Sequence, residues 1–345
     1  KLDEINICIA CNQACLDHTF KGKVSTCLVN PFACYETELK PINTAHKRIA
    51  VVGAGPSGMA FSVEAAKKGH KITLFDKDSQ IGGQFNMAKI IPGKEEFHET
   101  IRYYKRQLEI HNVSLNLNTE FSVSDSETFD EIIIATGVIP RDLKIEGIDH
   151  SKVMTYVDYL KHNKAIGDKV AVIGAGGIGF DVSEFLTHTE GSHPSLSKDE
   201  FFKEWGVDQT ISSRGGIENV KSDFKQSPRE VFLCQRKSTK MGKGLGKTTG
   251  WIHRMALKKR GVQMLTGVSY QRIDDQGLHI SIDGEKQILA VDNIIVCAGQ
   301  IPNDSLYDLL VFKGKSVHKI GGADAAGELD AKRAIKQGTL LALKI

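Results

Sequence analysis

A chain of 345 residues is long enough for two domains and a small appendage. Its 41% hydrophobic and 25% charged residues are ordinary for a globular protein, and a net charge of +3 leaves no basic stripe of the kind that grips nucleic acid. The longest apolar runs reach about a dozen residues, are rich in glycine and fall short of the roughly 18 to 20 that span a bilayer. Neither nucleic acid nor a membrane is therefore expected as a partner.

In chain order, the first residues show no basic segment leading into an apolar one, so a cytoplasmic protein is expected. The opening residue is Lys1 rather than Met, and a piece of a longer polypeptide is expected on that ground. Cys8, Cys11, Cys15 and Cys27 then follow in the spacing C-x2-C-x3-C-x11-C. Three thiolates from one tight loop, with a fourth returning after a short excursion, suit the separated corners of a 4Fe–4S cubane. A structural zinc more often takes two paired knuckles, and a redox dithiol needs no third or fourth cysteine. The spacing favours the cluster, with zinc and dithiol as the alternatives. Cys34, Cys234 and Cys297 read as small buried hydrophobes.

From His46 to Asp76 the sequence is HKRIAVVGAGPSGMAFSVEAAKKGHKITLFD. An apolar strand run leads into Gly53, Gly55 and Gly58 (G-x-G-x-x-G), a helical stretch follows, and a second apolar run ends at Asp76. Between a strand and a helix this is a strong dinucleotide signature. The glycines allow a tight turn, close approach of a pyrophosphate and close helix–strand packing, while the helix start offers unpaired N–H groups to phosphate. Asp76 is placed to accept from ribose hydroxyls. Further on, a helix over 105–113 and a strand over 116–121 are expected. EIIIATGVIP (Glu131 to Pro140) reads as a buried strand ending in a Gly turn at Gly137.

The pattern then recurs. KVAVIGAGGIGFDVSEFL, from Lys169, carries Gly174, Gly176 and Gly179, and NIIVCAGQIP (Asn293 to Pro302) repeats the buried strand and Gly turn. The second copy is longer by a polar segment from Thr187 to Pro228 that lacks sustained periodicity. Restoring the register puts Gln235-Arg236-Lys237 where Asp76 stands in the first copy. An acid there favours a free ribose 2′-OH and repels a 2′-phosphate, whereas Arg and Lys do the reverse. The first copy therefore suits FAD and the second NADPH. Lys240, Lys243 and Lys247 extend the basic stretch in STKMGKGLGKTTGW. That loop is no P-loop, because Met241 replaces the required glycine and the flanking elements are wrong. His253, after Trp251, reads as a capping or surface histidine, with a place near the nicotinamide as the alternative.

These residues predict an α/β chain: two Rossmann-like dinucleotide-binding domains, each with a parallel sheet in three layers, and a small N-terminal iron–sulfur segment. The expected division is 1–45 for the cluster segment, 46–155 with 300–345 for a discontinuous FAD domain, and 156–299 for the NADPH domain.

The combination CIACNQACLD…CLVNP, IGGQFN, GAGGIGFD, QRK, GLGKTTGWIHR and ELDAKRAIKQG resembles the bacterial NADPH-dependent 2,4-dienoyl-CoA reductases across essentially the whole chain. The resemblance implies Cys8, Cys11, Cys15 and Cys27 as cluster ligands. It implies FAD contacts from Ser57, Asp76, Gln84, Lys94 and Phe121, with Asp324 and the helix start Leu329-Asp330-Ala331 approaching the flavin. Arg236 and Lys237 are implied as the NADPH phosphate contact. The family's FMN-binding barrel, with the residues that act on 2,4-dienoyl-CoA in fatty acid β-oxidation, has no counterpart here. An electron-input portion is therefore expected, passing charge from NADPH through FAD and a 4Fe–4S cluster to FMN on that barrel, with no catalytic acid–base side chain of its own. The rival readings are a trimethylamine dehydrogenase-like flavoprotein, in which this region holds ADP, and a stand-alone electron-transfer protein.

Overall fold

The computed structural model describes residues 1–217, 220–327 and 330–345. It divides into two units, one comprising 1–86, 96–139 and 300–345, the other 87–95 and 140–299.

The first unit is built on a five-stranded parallel sheet. In spatial order its strands are Val317–Lys319, Glu131–Ile134, Arg48–Val52, Lys71–Phe75 and Ser114–Asn116. Strand residues Ile49 to Val51 and Ile132 to Ile134 are essentially inaccessible, as expected when helices cover both faces of a parallel sheet. Each Ile or Val among them contributes about 1.5–3 kcal/mol of burial. The helix Pro56–Lys67 starts with Pro in its first turn and stops at Gly69, whose φ of +92° accepts the left-handed turn that ends helices. Its outer face crosses Ala331–Lys344 closely, because Gly338 has no side chain there: a Cβ would lie 2.3 Å from the Ser57 carbonyl oxygen.

The cysteine-bearing segment belongs to this unit. Ile9, Ala14, Leu28 and Val29 are buried in its core, and Arg102 donates to the Ile5 carbonyl at 2.9 Å. The expected helix over 105–113 is longer and earlier, Phe97–Ile110, and the expected strand over 116–121 is instead Ser114–Asn116. Asn118, at φ +52°, turns the chain out of extended geometry, so Phe121 lies beyond the strand and packs edge-on against Phe75 at 5.0 Å.

The second unit repeats the plan. Its parallel sheet runs Val153–Thr155, Asn293–Val296, Lys169–Ile173, Glu230–Cys234 and Gln263–Leu265. An antiparallel meander, Ser269–Asp274, Gly277–Ile282 and Glu285–Leu289, has no counterpart in the first sheet. Residues 140–155 lie with this unit because Val153–Thr155 is an edge strand of its sheet. The polar segment 187–228 contains a helix, Lys198–Trp205, with Ser197 accepting from the Glu200 N–H as its cap. That segment is tied down by a buried pair, Arg260 with Glu204 at 2.5 Å, and by Phe224 beneath the guanidinium.

Candidate functional site

In the first unit, Gly53 has φ +111°, and a Cβ on it would lie 2.4 Å from the Ala135 carbonyl oxygen. Gly58 is tighter still, with a Cβ 1.9 Å from the Gly53 oxygen. Gly55 is different: the nearest atom to its missing Cβ is Gly83 Cα at 4.0 Å, so the turn stands open at this residue. No side chain caps the following helix, and Ser57, in its first turn, is buried. The helix start at this open turn leaves backbone N–H groups without a side-chain acceptor, an arrangement that suits a phosphate. Asp76 stands beside it and accepts from the Ala54 N–H (2.7 Å) and the Asp78 N–H (2.8 Å). The IGGQFN segment packs backbone to backbone on the same turn, with Gly82 N–H donating to the Ala54 oxygen at 2.8 Å, and brings the half-buried Gln84 along.

Gly137, at φ +75°, receives the Asn303 N–H on its carbonyl at 3.0 Å. Asp324 accepts from Gln337 (2.9 Å), whose amide oxygen accepts from the Gly321 N–H (2.8 Å). Asp330 caps the helix that begins at Ala331 by accepting from the Arg333 N–H at 2.7 Å. Leu329 lies outside the described residues. Lys94, expected at the flavin, groups with the second unit, where its ammonium holds both Asp181 carboxylate oxygens at 2.6 and 2.7 Å.

Of the four N-terminal cysteines, Cys8 and Cys15 are exposed and Cys11 and Cys27 half-buried. Burial pushes the Cys11 thiol up, a backbone hydrogen bond from Gln13 opposes this, and Cys27, Cys15 and Cys8 add to the rise in that order. Cys11 thus feels all three partners. Ala10 and Asn12, both at positive φ, fold the loop around it, and the Ala10 N–H donates to the Cys8 sulfur at 3.3 Å. Among the described residues, no group of three or more His, Cys, Asp or Glu is placed to hold one metal ion. The donor set nevertheless fits an iron–sulfur cluster chemically: three thiols on one loop and a fourth beyond a short helix, with backbone N–H groups turned to the sulfurs of Cys8 and Cys11. Cys34 corrects the expectation of a buried thiol. It is exposed on a turn at φ +65°, whereas Cys234 and Cys297 are buried.

The second unit encloses a cleft of 720 Å³ over its own Gly turn. Gly174 (φ +107°) and Gly179 repeat the close contacts of Gly53 and Gly58, with Cβ positions 2.8 Å from the Cys297 oxygen and 1.8 Å from the Gly174 oxygen. Gly176 and Gly177 face open space. Arg236 and Lys237 line the cleft, Lys243 joins them, and among the described residues no Asp or Glu does. Lys240 and Lys247 are not among its lining residues.

Backbone hydrogen bonds fix the alignment of the two copies. Gly53 N–H donates to Phe75 O and Asp76 N–H to Asn116 O, as Gly174 N–H does to Cys234 O and Gln235 N–H to Leu265 O. Gln235 is therefore the counterpart of Asp76. Its amide donates to the Lys237 (2.8 Å) and Thr239 (2.7 Å) carbonyls, shaping the loop that carries the cations. Arg254 fastens the other wall by donating to the Gly242 carbonyl at 3.2 Å. Sequence reasoning missed Arg141 and Tyr270, which line the cleft from outside any motif. His253 is half-buried. Burial lowers its pKa first and Lys94 next, with Asp181 and Glu184 opposing, so it stays neutral beside the Lys94–Asp181 pair and off the cleft lining.

Two parallel sheets that share the order of four strands and differ in whether the outer edge strand comes last or first along the chain, each with an open Gly turn at the carboxyl end of its central strand, define a protein of two dinucleotide-binding folds. The family described as pyridine nucleotide-disulphide oxidoreductase matches residues 47–322, and the chain belongs to it. Membership implies FAD and a nicotinamide dinucleotide as bound partners. The chain is similar to a metal reductase of Desulforamulus reducens (27% identity; 93% of this chain, 48% of the relative). It is also similar to a cinnamate reductase of Clostridium sporogenes (26% identity; 94% and 44%). Among solved structures, a 2-naphthoyl-CoA reductase in complex with 2-naphthoyl-CoA superposes with a TM-score of 0.83 at 29% identity, over 99% of this chain and 47% of that one. The chain spans about half the length of the curated relatives it matches. Among the described residues, no helix is long and apolar enough to cross a membrane.

Proposed function

We propose that this chain is the electron-input portion of an NADPH-dependent 2,4-dienoyl-CoA reductase that works in the cytoplasm in the β-oxidation of unsaturated fatty acids. In this reading, FMN and the thioester substrate are served by a barrel domain joined to it. The observation that carries the reading is the cleft of the second unit, lined by Arg236 and Lys237 next to Gln235, the counterpart of Asp76, and among the described residues by no carboxylate. The motif resemblance and the reductase relatives support it, one of them bound to an aromatic acyl-CoA.

When bound, the nicotinamide supplies a hydride, and the flavin divides that electron pair for a one-electron iron–sulfur centre. The chain's own residues bind and orient. The turn Gly174–Gly179 receives the NADPH pyrophosphate on backbone N–H groups, while Arg236 and Lys237 neutralise the 2′-phosphate. In the first unit, Gly53 to Gly58 take the FAD pyrophosphate and Asp76 accepts from its ribose. Gln84, Gly137, Asp324 and the helix start at Asp330 and Ala331 approach the flavin, and Phe121 presents backbone to the adenine. Cys8, Cys11, Cys15 and Cys27 hold the cluster, and no side chain is assigned a proton-transfer role.

The test is anaerobic reduction of the purified, flavin-loaded chain. NADPH should bleach the flavin absorbance at least tenfold faster than NADH, and a dye acceptor should turn over while dienoyl-CoA does not. Equal rates with both nucleotides would overturn the 2′-phosphate assignment. Iron and acid-labile sulfide should be present at about four each per chain and be lost in C11S. Zinc in their place would remove the cluster from the reading.

A further inference from the structure

The cleft of the second unit takes cations from two sides of its Gly turn, and one of them belongs to no motif. Arg141 follows Val138–Pro140, far in sequence from the other lining residues. Its N–H donates to the Gly299 carbonyl at 3.2 Å. Its guanidinium lies against the same glycine, where a Cβ would stand 3.3 to 3.5 Å from Cζ, Nε and Nη1. Gly299 belongs to the turn after Asn293–Val296. That turn abuts the phosphate turn directly, since the missing Cβ of Gly174 would lie 2.8 Å from the Cys297 oxygen and 2.9 Å from Ala298 Cα. Two glycines in contact with this turn thus connect Arg141 to the centre of the cleft.

Sheet order supplies the direction. Asn293–Val296 and Glu230–Cys234 flank Lys169–Ile173 on opposite sides. Arg236 and Lys237 extend from the second of these strands, and Arg141 rests beside the end of the first. A dinucleotide laid across the carboxyl ends of such a sheet crosses the central strand at its pyrophosphate, with the adenosine ribose toward the acidic or basic position one strand on. Arg236 and Lys237 occupy that ribose end. Arg141 stands on the other side of the phosphate turn.

We infer that Arg141 binds the pyrophosphate of the nicotinamide dinucleotide, a charge that NADPH and NADH share. The inference rests on the proposed nucleotide role of this cleft. A guanidinium offers a planar fork of donors to phosphate oxygens, and the N–H groups at the start of Gly177–Leu186 engage the same group from the helix side. Arg141 therefore sets affinity for either nucleotide, and Arg236 with Lys237 sets the choice between them.

Titration of the flavin-loaded chain with NADPH and with NADH, by calorimetry, separates these roles. R141M should weaken both nucleotides by about tenfold or more with an unchanged melting temperature, and R141K should recover part of the loss for both. R236M should weaken NADPH alone. Inorganic pyrophosphate should compete with both nucleotides on the unaltered protein and compete less well on R141K, which keeps the test decisive if R141M melts early. Wild-type affinity for both nucleotides in R141M, or a loss confined to NADPH, would overturn the inference and leave the reading of the cleft standing. Failure of the unaltered protein to bind either nucleotide would overturn that reading, and this inference with it.

Discussion

Glycines at the two turns divide into those that permit packing and those that admit a ligand, and the division is measured by what a Cβ would strike. Gly58→Ala and Gly179→Ala push a methyl to 1.9 and 1.8 Å from backbone oxygens, so the helix must move off its sheet. Each should cost about 3 kcal/mol or more in urea denaturation. Gly55→Ala and Gly176→Ala meet nothing nearer than 4.0 Å and have ordinary φ values, so stability should stay within about 0.5 kcal/mol. Their effect should appear in flavin retention and in NADPH affinity respectively, because the methyl fills the space a phosphate needs. A second residue-scale consequence concerns Gln235, the uncharged counterpart of Asp76. Q235D should lower NADPH affinity about tenfold and leave NADH binding unchanged or tighter, since a carboxylate repels the 2′-phosphate and accepts from a free hydroxyl. Parallel losses for both nucleotides would contradict the alignment.

Between elements, the buried ion pair and the helix crossing show where stability concentrates. Glu204 lies on Lys198–Trp205 within the polar segment 187–228, and Arg260, 3% exposed, lies just past Gly250–Lys259. The isolated pair adds little over an apolar substitute, but removing one partner strands a buried charge. E204A should therefore cost about 3 kcal/mol and make 187–228 the first site of protease cleavage, even though Glu184 remains 3.6 Å from Arg260. The polar composition of this segment hides such anchoring, because the contact of Trp205 with Phe224 at 5.1 Å joins residues that no local pattern relates. Likewise, nothing periodic marks Gly338 as the crossing point of Pro56–Lys67 and Ala331–Lys344. The steric constraint comes from the Ser57 carbonyl, which lies far away along the chain.

Across the molecule, part of the acid sensitivity should trace to a polar cluster in the first unit. His70 is 5% exposed, its Nδ1 accepts from the Lys47 N–H at 3.2 Å, and its Nε2 has no partner. Burial lowers its pKa, with Lys68, His46 and Lys47 adding to the fall and Glu131 opposing. A histidine depressed in this way leaves stability intact above its ordinary value of 6.5, and stability then declines as pH drops toward the lower folded value. Burial would raise the Glu131 carboxyl, but hydrogen bonds from Lys47, Ser316 and His318 outweigh it and hold the pKa below 4.5. That contribution is present above 4.5 and is lost as pH falls through the depressed value. Urea midpoints measured from pH 7.5 to 3.5 should fall in two stages, and H70Q should lessen the first, which His253 and His111 also feed, while leaving the second. A single transition near the carboxylate range would contradict the role of His70.

What the sequence determined by itself is local: two strand–Gly turn–helix repeats, the acid at Asp76, and the basic pair at Arg236 and Lys237. Such features are legible because the glycine spacing, the apolar strand runs and the change of charge act within a few residues of one another. Only the tertiary structure decided that Gln235 is the counterpart of Asp76, that Lys94 engages Asp181, that Arg141 reaches the cleft through Gly299, and that the cysteine segment buries Ile9, Ala14, Leu28 and Val29 in the core of the first unit. Those relations join residues that composition and periodicity leave unrelated. They exist because parallel strands bring distant turns to one edge of a sheet, where backbone contact, rather than distance along the chain, decides which side chains meet.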